Sequence, residues 1–473
     1  MNALDSLKFF LPESFLLIGA FVALFLDLFV RNKKGVGILC LAILIGSGVL
    51  AATPLHASQS LFFNYFTLDM VTHYFRLLAI GVVAITLLAS LNYQPLAAGH
   101  EGEYYWLFLF MTFGLILMAS STNLLMIFLS VEFVSILSYL LVGFLKKDAR
   151  AKEAAVKYLL FGTLASGTML YGMSLLFGAT GSLELSVIQE RLSQPRFFLM
   201  NIFSLLFFLA GLGFKISMAP FHMWAPDVYE GAPTPVTAFL TVAPKALGFS
   251  LLIRILTSIF ARTQPHWQAM MIALSILTMT VGNVVAISQT NIKRLLAYSS
   301  IAQAGYILMG IASFNETGLW GVFLYLATYA FTNLGAFIVV IAVSNALGND
   351  EIESYAGLAK RSPFLAASLA IFLLSLGGIP PFAGFIGKFF VFSSAVQGNL
   401  YALAIAAAVN SAVAAYYYFK VVRVMYLVPS LETQPIVQPA PLTLALCLML
   451  AGVMVFGILP SPLIALVKEI FVL

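Results

Sequence analysis

Apolar stretches of about 20 residues, the length an α-helix needs to cross a hydrocarbon layer, follow one another along nearly the whole chain, with short polar connections between them. Fourteen are predicted, near residues 11–30, 35–54, 70–92, 104–120, 122–145, 153–178, 198–220, 233–258, 267–288, 294–313, 318–345, 362–397, 401–427 and 439–467. Two of them, near 198–220 and 362–397, run into proline-containing breaks, where a missing N–H interrupts the helical ladder. The first segment, LPESFLLIGAFVALFLDLFV, has neither a basic region before it nor a small-residue cleavage site after it, so it reads as a permanent span. The longest polar connections, near 93–103, 180–197 and 347–361, are too short to fold alone. The expectation is an all-α polytopic membrane protein of about 14 transmembrane helices, forming a single membrane domain over residues 1–473.

Composition makes lipid the only plausible solvent. Of 473 residues, 61% are hydrophobic and 9% charged, against about 25% charged in an ordinary soluble domain. The net charge of +5 is therefore read by location. No Lys/Arg cluster lies on a polar face, so nucleic acid is not a partner. RNKK (31–34), KKDARAK (146–152), KR (293–294), KR (360–361) and Lys420/Arg423 follow the first, fifth, ninth, eleventh and thirteenth spans, all on one side. The loops at 53–69, 121–122, 314–317 and 398–400 hold no Lys or Arg; Arg191 and Arg196 are the exceptions. Positive charge stays cytoplasmic, which puts both termini on the non-cytoplasmic side. Cys40 and Cys447 sit in apolar runs, and His56, His73, His100, His222 and His266 are scattered. With no HExxH, Walker A or GxGxxG motif, the chain offers no metal, redox or nucleotide site of its own.

GFKISMAPF (213–221) and GGIPPFAGFIGKFF (377–390) each place one Lys beside Gly and a Pro-Phe pair inside a long apolar segment. Interrupted helices at corresponding positions point to inverted repeats, over 104–258 and 267–427. The two lysines are five spans apart, an odd number, which gives the copies opposite orientations.

An ionised side chain at mid-membrane costs about 2.5–3.5 kcal/mol on insertion scales, so each one needs a reason. Glu132 lies near the middle of the fifth span; it is either a structural lock or a functional acid. Lys215 and Lys388 flank the two breaks, where they can cap released carbonyls and still have a proton to lose. Lys245 follows Pro244, about twelve residues into the eighth span, too deep for simple snorkelling. Glu153 and Lys157 lie four apart on one helix face, as a surface pair near the cytoplasmic edge or in a role as a proton entry or a partner of Glu132. His222 and Asp227 flank Trp224 in the broken segment, and the ordinary pKa of His suits proton relay. Asp27, Arg76 and Arg254 are near span ends and read as interfacial anchors. Burial and a nearby carboxylate act in opposite directions on a lysine. Glu132, Lys215, Lys245 and Lys388 thus form a candidate acid/base file along the midplane, linked by bound water.

The stretch KISMAPFHMWAPDVYEGAPTPVTAFLTVAPKA (215–246) resembles the antiporter-like membrane subunits of respiratory complex I, the proton-pumping NADH:quinone oxidoreductase. YEGAPTPVTAFL and the following PKA are closest to the N-type branch, the counterpart of mitochondrial NADH dehydrogenase subunit 2. SVEFVSILSYLLVGF (130–144), NIKRLLAYSSIAQAGY (291–306) and GGIPPFAGFIGKF (377–389) agree, and the resemblance spans essentially the whole chain. It implies fourteen helices, two inverted five-helix repeats with helices seven and twelve broken, and no redox centre in this chain. It implies roles in proton translocation for Glu132, Lys157, Lys215, Lys245 and Lys388. NADH, FMN, iron–sulfur clusters and quinone are then handled by partner subunits, a neighbouring antiporter-like subunit and small membrane subunits adjoin this one, and the setting is a bacterial plasma membrane. The competing expectations are a subunit of a multi-subunit cation/proton antiporter and a membrane scaffold without transport.

Overall fold

The computed structural model describes residues 3–53, 55, 57–96, 101–192, 198–430 and 434–470; His56, His100 and Arg196 lie outside the described residues. The helices, in chain order, are α1 (Ala3–Phe9), α2 (Leu11–Phe29), α3 (Lys33–Ala51), α4 (Met70–Ser90), α5 (Glu101–Ser120), α6 (Leu124–Val142), α7 (Ala149–Thr180) and α8 (Leu185–Leu192), then α9 (Phe198–Ile216), α10 (Trp224–Gly231), α11 (Thr234–Ser258), α12 (Gln264–Ala286) and α13 (Ile292–Ser313). They continue with α14 (Glu316–Leu347), α15 (Leu358–Arg361), α16 (Pro363–Gly377), α17 (Ala383–Gln397), α18 (Tyr401–Leu427), α19 (Ala440–Ile458) and α20 (Ser461–Glu469). A short antiparallel hairpin, β1 (Gln59–Leu61) and β2 (Phe66–Leu68), joins α3 to α4.

Among the described residues, 12 helices are long and apolar enough to cross a membrane. The interrupted pairs α9/α10 and α16/α17 bring the count to the fourteen that the pattern predicts. One expected span is shorter than its apolar run: 439–467 is cut after Ile458, where Pro460 and Pro462 end α19 and start α20.

Burial sorts the helices into two layers. Nearly every residue of α11, α13 and α14 is buried, whereas α2, α3, α7, α12, α18 and α19 each bury well under half of theirs. A helix that is apolar all round belongs in a protein interior, and one buried on a single stripe faces lipid with the rest. The broken helices pack onto this centre: α9 lies against α7 and α11, α10 against α7 and α13, and α17 against α14 and α13. Glycine permits the closest of these approaches. A Cβ at Gly248 of α11 would stand 2.6 Å from Ile216 Cγ2 and 3.5 Å from Lys215 Cβ, so α11 touches the end of α9 only because that side chain is missing.

Local geometry recurs in the two halves of the chain. Asn123 caps α6 and Asn291 caps α13, each with its side chain accepting from a backbone N–H in the first turn. Asn123 forms an isolated bridge with Glu184, and Asn291 forms one with Glu351. The 32-residue α7 ends at Gly181 and the 32-residue α14 at Gly348, both glycines left-handed. The first half of each broken helix ends at a left-handed residue, Ser217 (φ 57°) or Gly378 (φ 81°). A Pro-Phe pair then stands three and four residues further on, Pro220-Phe221 and Pro381-Phe382.

Candidate functional site

The first break shows how a helix can stop inside a membrane without orphaned backbone groups. Met218 N–H donates to the Gly213 carbonyl at 2.7 Å, Ser217 N–H to Phe214 O at 3.1 Å, and Ala219 N–H to Thr278 Oγ1 at 3.0 Å. Trp224 Nε1 donates to Phe214 O at 3.1 Å. Its indole stacks on the Tyr158 ring at 4.4 Å, which ties α10 to α7.

Lys215, one residue before α9 ends, is 3% exposed and donates through Nζ to Ser135 Oγ of α6 at 2.8 Å. Glu132, one turn earlier on α6, is half-buried, accepts from Ser166 Oγ of α7, and acts electrostatically on Lys215. The acid and the serine that holds the amine thus lie one turn apart on α6, and Lys215 reaches them from α9.

Lys245 is buried in the middle of α11. Its Nζ donates to the Ser300 carbonyl at 3.0 Å and to Ser300 Oγ at 2.8 Å, both on α13. It also lies over the Tyr229 ring, 5.7 Å from the centroid. Pro244 has no N–H for the Leu240 carbonyl one turn back, and Tyr229 Oη donates to that carbonyl at 3.3 Å. One tyrosine therefore serves both the helix irregularity and the amine beside it.

Lys388 lies in the second half of its broken helix and reaches back across the break. Nζ donates to Gly377 O at 3.0 Å and sits 4.6 Å from the Tyr306 ring centroid. Gly378 makes this possible twice over: it takes the left-handed conformation, and a Cβ there would stand 2.5 Å from Lys388 Cδ. Freed backbone at the break is also met by Ser375 Oγ, which accepts from Gly384 N–H at 3.0 Å.

Lys157 and Glu153 share a face of α7, 2.9 Å apart. Lys157 also pairs with Asp227 at 2.8 Å, and not with Glu132, whose hydrogen-bond partner is Ser166. Asp227 is further held by Arg294 at 2.8 Å, and Arg294 binds Glu230 at 2.8 Å. These charges, with Arg150, line a cavity of about 320 Å³ between α7, α10 and α13. His222 is half-buried in the break, with Nδ1 unpartnered and with Lys245 acting on it electrostatically. The structure thus assembles Glu132 with Lys215, separates Lys157 into a cluster at the edge, and leaves His222 in the break, nearer in influence to Lys245 than to either.

The expectation that Asp27, Arg76 and Arg254 are interfacial anchors is corrected. Arg76 is buried against a fully buried Glu13 at 2.6 Å. Asp27 accepts from Lys33 Nζ at 2.8 Å and Trp106 Nε1 at 3.3 Å. Arg254 forks onto Asp69 at 2.9 and 3.2 Å and also donates to Ala119 O at 3.1 Å. Position near a span end signals snorkelling only when no partner lies behind it, and here each partner comes from another helix or a loop.

Sequence reasoning passed over a set of uncharged groups around α13. Gln303 contacts Tyr325, Tyr418 and the Leu376 carbonyl, and Asn283 joins Tyr306, Tyr417 and Asn410. An amide in the middle of IAQAGY was the signal available. Among the described residues, no group of three or more His, Cys, Asp or Glu is placed to hold a metal ion.

The family model described as NADH:quinone oxidoreductase/Mrp antiporter, transmembrane, matches residues 121–414. The NADH-quinone oxidoreductase subunit N of Trichlorobacter lovleyi is 40% identical, over 98% of this chain and 96% of that protein. A chain of respiratory complex I from Thermus thermophilus, solved with bound aureothin, superposes with a TM-score of 0.83 at 31% identity, covering 96% of this chain and 98% of that one. A chain of the Mrp complex from Dietzia has a TM-score of 0.85 at 20% identity over 97% of each, which speaks to fold alone.

Proposed function

We propose a proton-translocating role for this chain, which belongs to the family of NADH:quinone oxidoreductase and Mrp antiporter transmembrane subunits. It is the N-type membrane subunit of a respiratory NADH:quinone oxidoreductase, embedded in a bacterial plasma membrane. It is part of an enzyme whose redox chemistry lies in other subunits: NADH, FMN, iron–sulfur clusters and quinone belong to the partners, and the neighbours here are a further antiporter-like subunit and small membrane subunits.

One observation carries this reading. Lys215, Lys245 and Lys388 are 2–5% exposed, and each is bound to an oxygen inside the helix bundle. Such charges are costly, and a purely structural need would be met by apolar packing. The roles follow from geometry. Glu132 and Lys215 form the first exchange pair, with Ser166 and Ser135 fixing their separation. Lys245 stands on the seam between α11 and α13, and Lys388 at the second break. Water bridges the intervals, and a charge shift at one pair alters the proton affinity of the next. Lys157, with Asp227, Glu153 and Arg294, forms the mouth, and His222, under the influence of Lys245, is a further relay group at the first break.

The recurring caps, left-handed glycines and Pro-Phe breaks support two inverted repeats over 104–258 and 267–427. Arg150, Lys293 and Arg294 gather around adjoining cavities at one end of the bundle. This end supports the cytoplasmic assignment of the basic loops and the non-cytoplasmic placement of both termini. Arg191, in the last turn of α8 on the side otherwise expected to lack basic residues, donates to the Thr180 carbonyl and so serves as a cap for α7.

The test is Lys215→Ala and Lys388→Ala in the assembled complex in proteoliposomes, read as protons taken up per electron from NADH. Loss of pumping yield is expected for both; an unchanged yield in both sinks the relay. Purifying the tagged chain with its companions separates this reading from a cation/proton antiporter, since flavin and iron–sulfur subunits accompany only the former.

A further inference from the structure

The two halves use one contact with different chemistry. Lys215 stands two residues before the left-handed Ser217, and Leu376 two before the left-handed Gly378. Ser135 lies twelve residues beyond the capping Asn123, and Gln303 twelve beyond the capping Asn291. The contact between Lys215 Nζ and Ser135 Oγ therefore has a counterpart, in which Gln303 Nε2 donates to the Leu376 carbonyl at 3.1 Å. In the first half a cation meets a hydroxyl, and both can exchange protons. In the second a carboxamide meets a backbone carbonyl, and neither gains or loses a proton near neutral pH.

The surroundings make that amide a junction. Gln303 Nε2 also donates to Tyr418 Oη at 3.2 Å, and Gln303 Oε1 accepts from Tyr325 Oη. Tyr418 Oη shares a hydrogen bond of 2.5 Å with Ser299 Oγ. Ser299 is followed by Ser300, which binds Lys245, and Leu376 by Gly377, which binds Lys388. Gln303 is 2% exposed, with both amide N–H groups and its oxygen engaged. It stands between the oxygen that holds one lysine and the oxygen that holds the other.

We infer that Gln303 is a positioning residue that fixes the Leu376–Gly377 carbonyl end of α16 for Lys388 and holds Tyr325 and Tyr418 between Lys245 and Lys388. Proton exchange between the two lysines then requires this amide to release its partners. The inference rests on the relay reading, and the test keeps the two apart. Gln303→Met, Lys388→Ala and the double variant are compared in assembled complex in proteoliposomes, as NADH-driven proton uptake normalised to assembled complex. Met nearly preserves the length and bulk of Gln but offers no donor, so a packing role tolerates it. Expected is a fall of about tenfold for Gln303→Met, the size of one or two lost hydrogen bonds, with no further fall when it is added to Lys388→Ala. Wild-type uptake in Gln303→Met, or an equal loss in both backgrounds, overturns the inference. Wild-type uptake in Lys388→Ala overturns the relay instead. Should Gln303→Met fail to assemble, Tyr418→Phe removes one partner of the amide, keeps the ring, and is read by the same comparison.

Discussion

Lys215 and Ser135 meet at 2.8 Å across the contact between α9 and α6, and Glu132 lies one turn before the serine on the same helix. The hydroxyl is the oxygen to which the buried ammonium donates. Ser135→Ala removes it and leaves a buried donor unmet, at a cost of about 1–3 kcal/mol. The expected outcome is assembled complex whose coupled proton uptake falls markedly, with Ser135→Thr retaining most of it because the hydroxyl survives. Proteoliposome uptake with quinone reduction measured in parallel checks this. Equal uptake in Ser135→Ala and wild type would remove the serine from the exchange pair.

Tyr229 answers a defect that Pro244 creates. Its Oη donates to the Leu240 carbonyl at 3.3 Å, the group that Pro244 leaves without a helical donor. Tyr229→Phe keeps the ring beneath Lys245 and strands the carbonyl, so thermal stability of the purified complex is expected to fall by about 1–3 kcal/mol. Pro244→Ala supplies the missing N–H and is expected to restore most of that loss in the double variant. Equal destabilisation with and without Pro244 would mean that the phenol acts elsewhere.

What was legible in the chain follows a physical rule. A span announces itself by length, so the fourteen segments were visible, as were both breaks, because proline removes a donor wherever it stands. Lys215, Lys245 and Lys388 stood out as uncompensated charges in apolar runs. Their partners did not: Ser135 and Ser300 are ordinary residues on other helices, and the partner of Lys388 is a backbone carbonyl. Helical spacing placed Glu153 and Lys157 on one face, and they pair, but spacing within α7 does not say which neighbour that face meets. It meets Asp227 of α10, while Glu132 meets Ser166. Gln303, Tyr325 and Tyr418 carry no charge and so raised no question until packing brought them together.

Glu13 and Arg76 form a buried pair, 2.6 Å apart, that joins α2 to α4. Removing one partner of such a pair leaves a lone buried charge and costs about 3–5 kcal/mol. Glu13→Leu and Arg76→Leu are each expected to lower the amount of folded chain in membranes sharply. The double variant is expected to recover much of it, because two apolar side chains leave no charge unpaired. Folded yield and thermal stability of the four forms check this, and a double variant worse than either single one contradicts it.

Asp69 caps α4 from outside the span, accepting from Thr72 N–H at 2.7 Å and from both ends of the Arg254 guanidinium. Burial alone would raise its carboxyl pKa, but the Arg254 charge and these hydrogen bonds prevail and hold it below the usual value of 3.8. A carboxyl depressed in the folded state contributes stability that is fully present above its unfolded pKa, and loses it as pH falls through the folded one. Asp69→Asn removes the negative charge at every pH. It is therefore expected to destabilise the chain at neutral pH, with the gap to wild type constant down to about pH 5 and narrowing below about pH 4. Thermal unfolding in detergent across that range measures it. A gap that stays constant to the lowest accessible pH would show that Asp69 acts as a neutral cap and that Arg254 is held by its bonds to Thr72 and the Ala119 carbonyl.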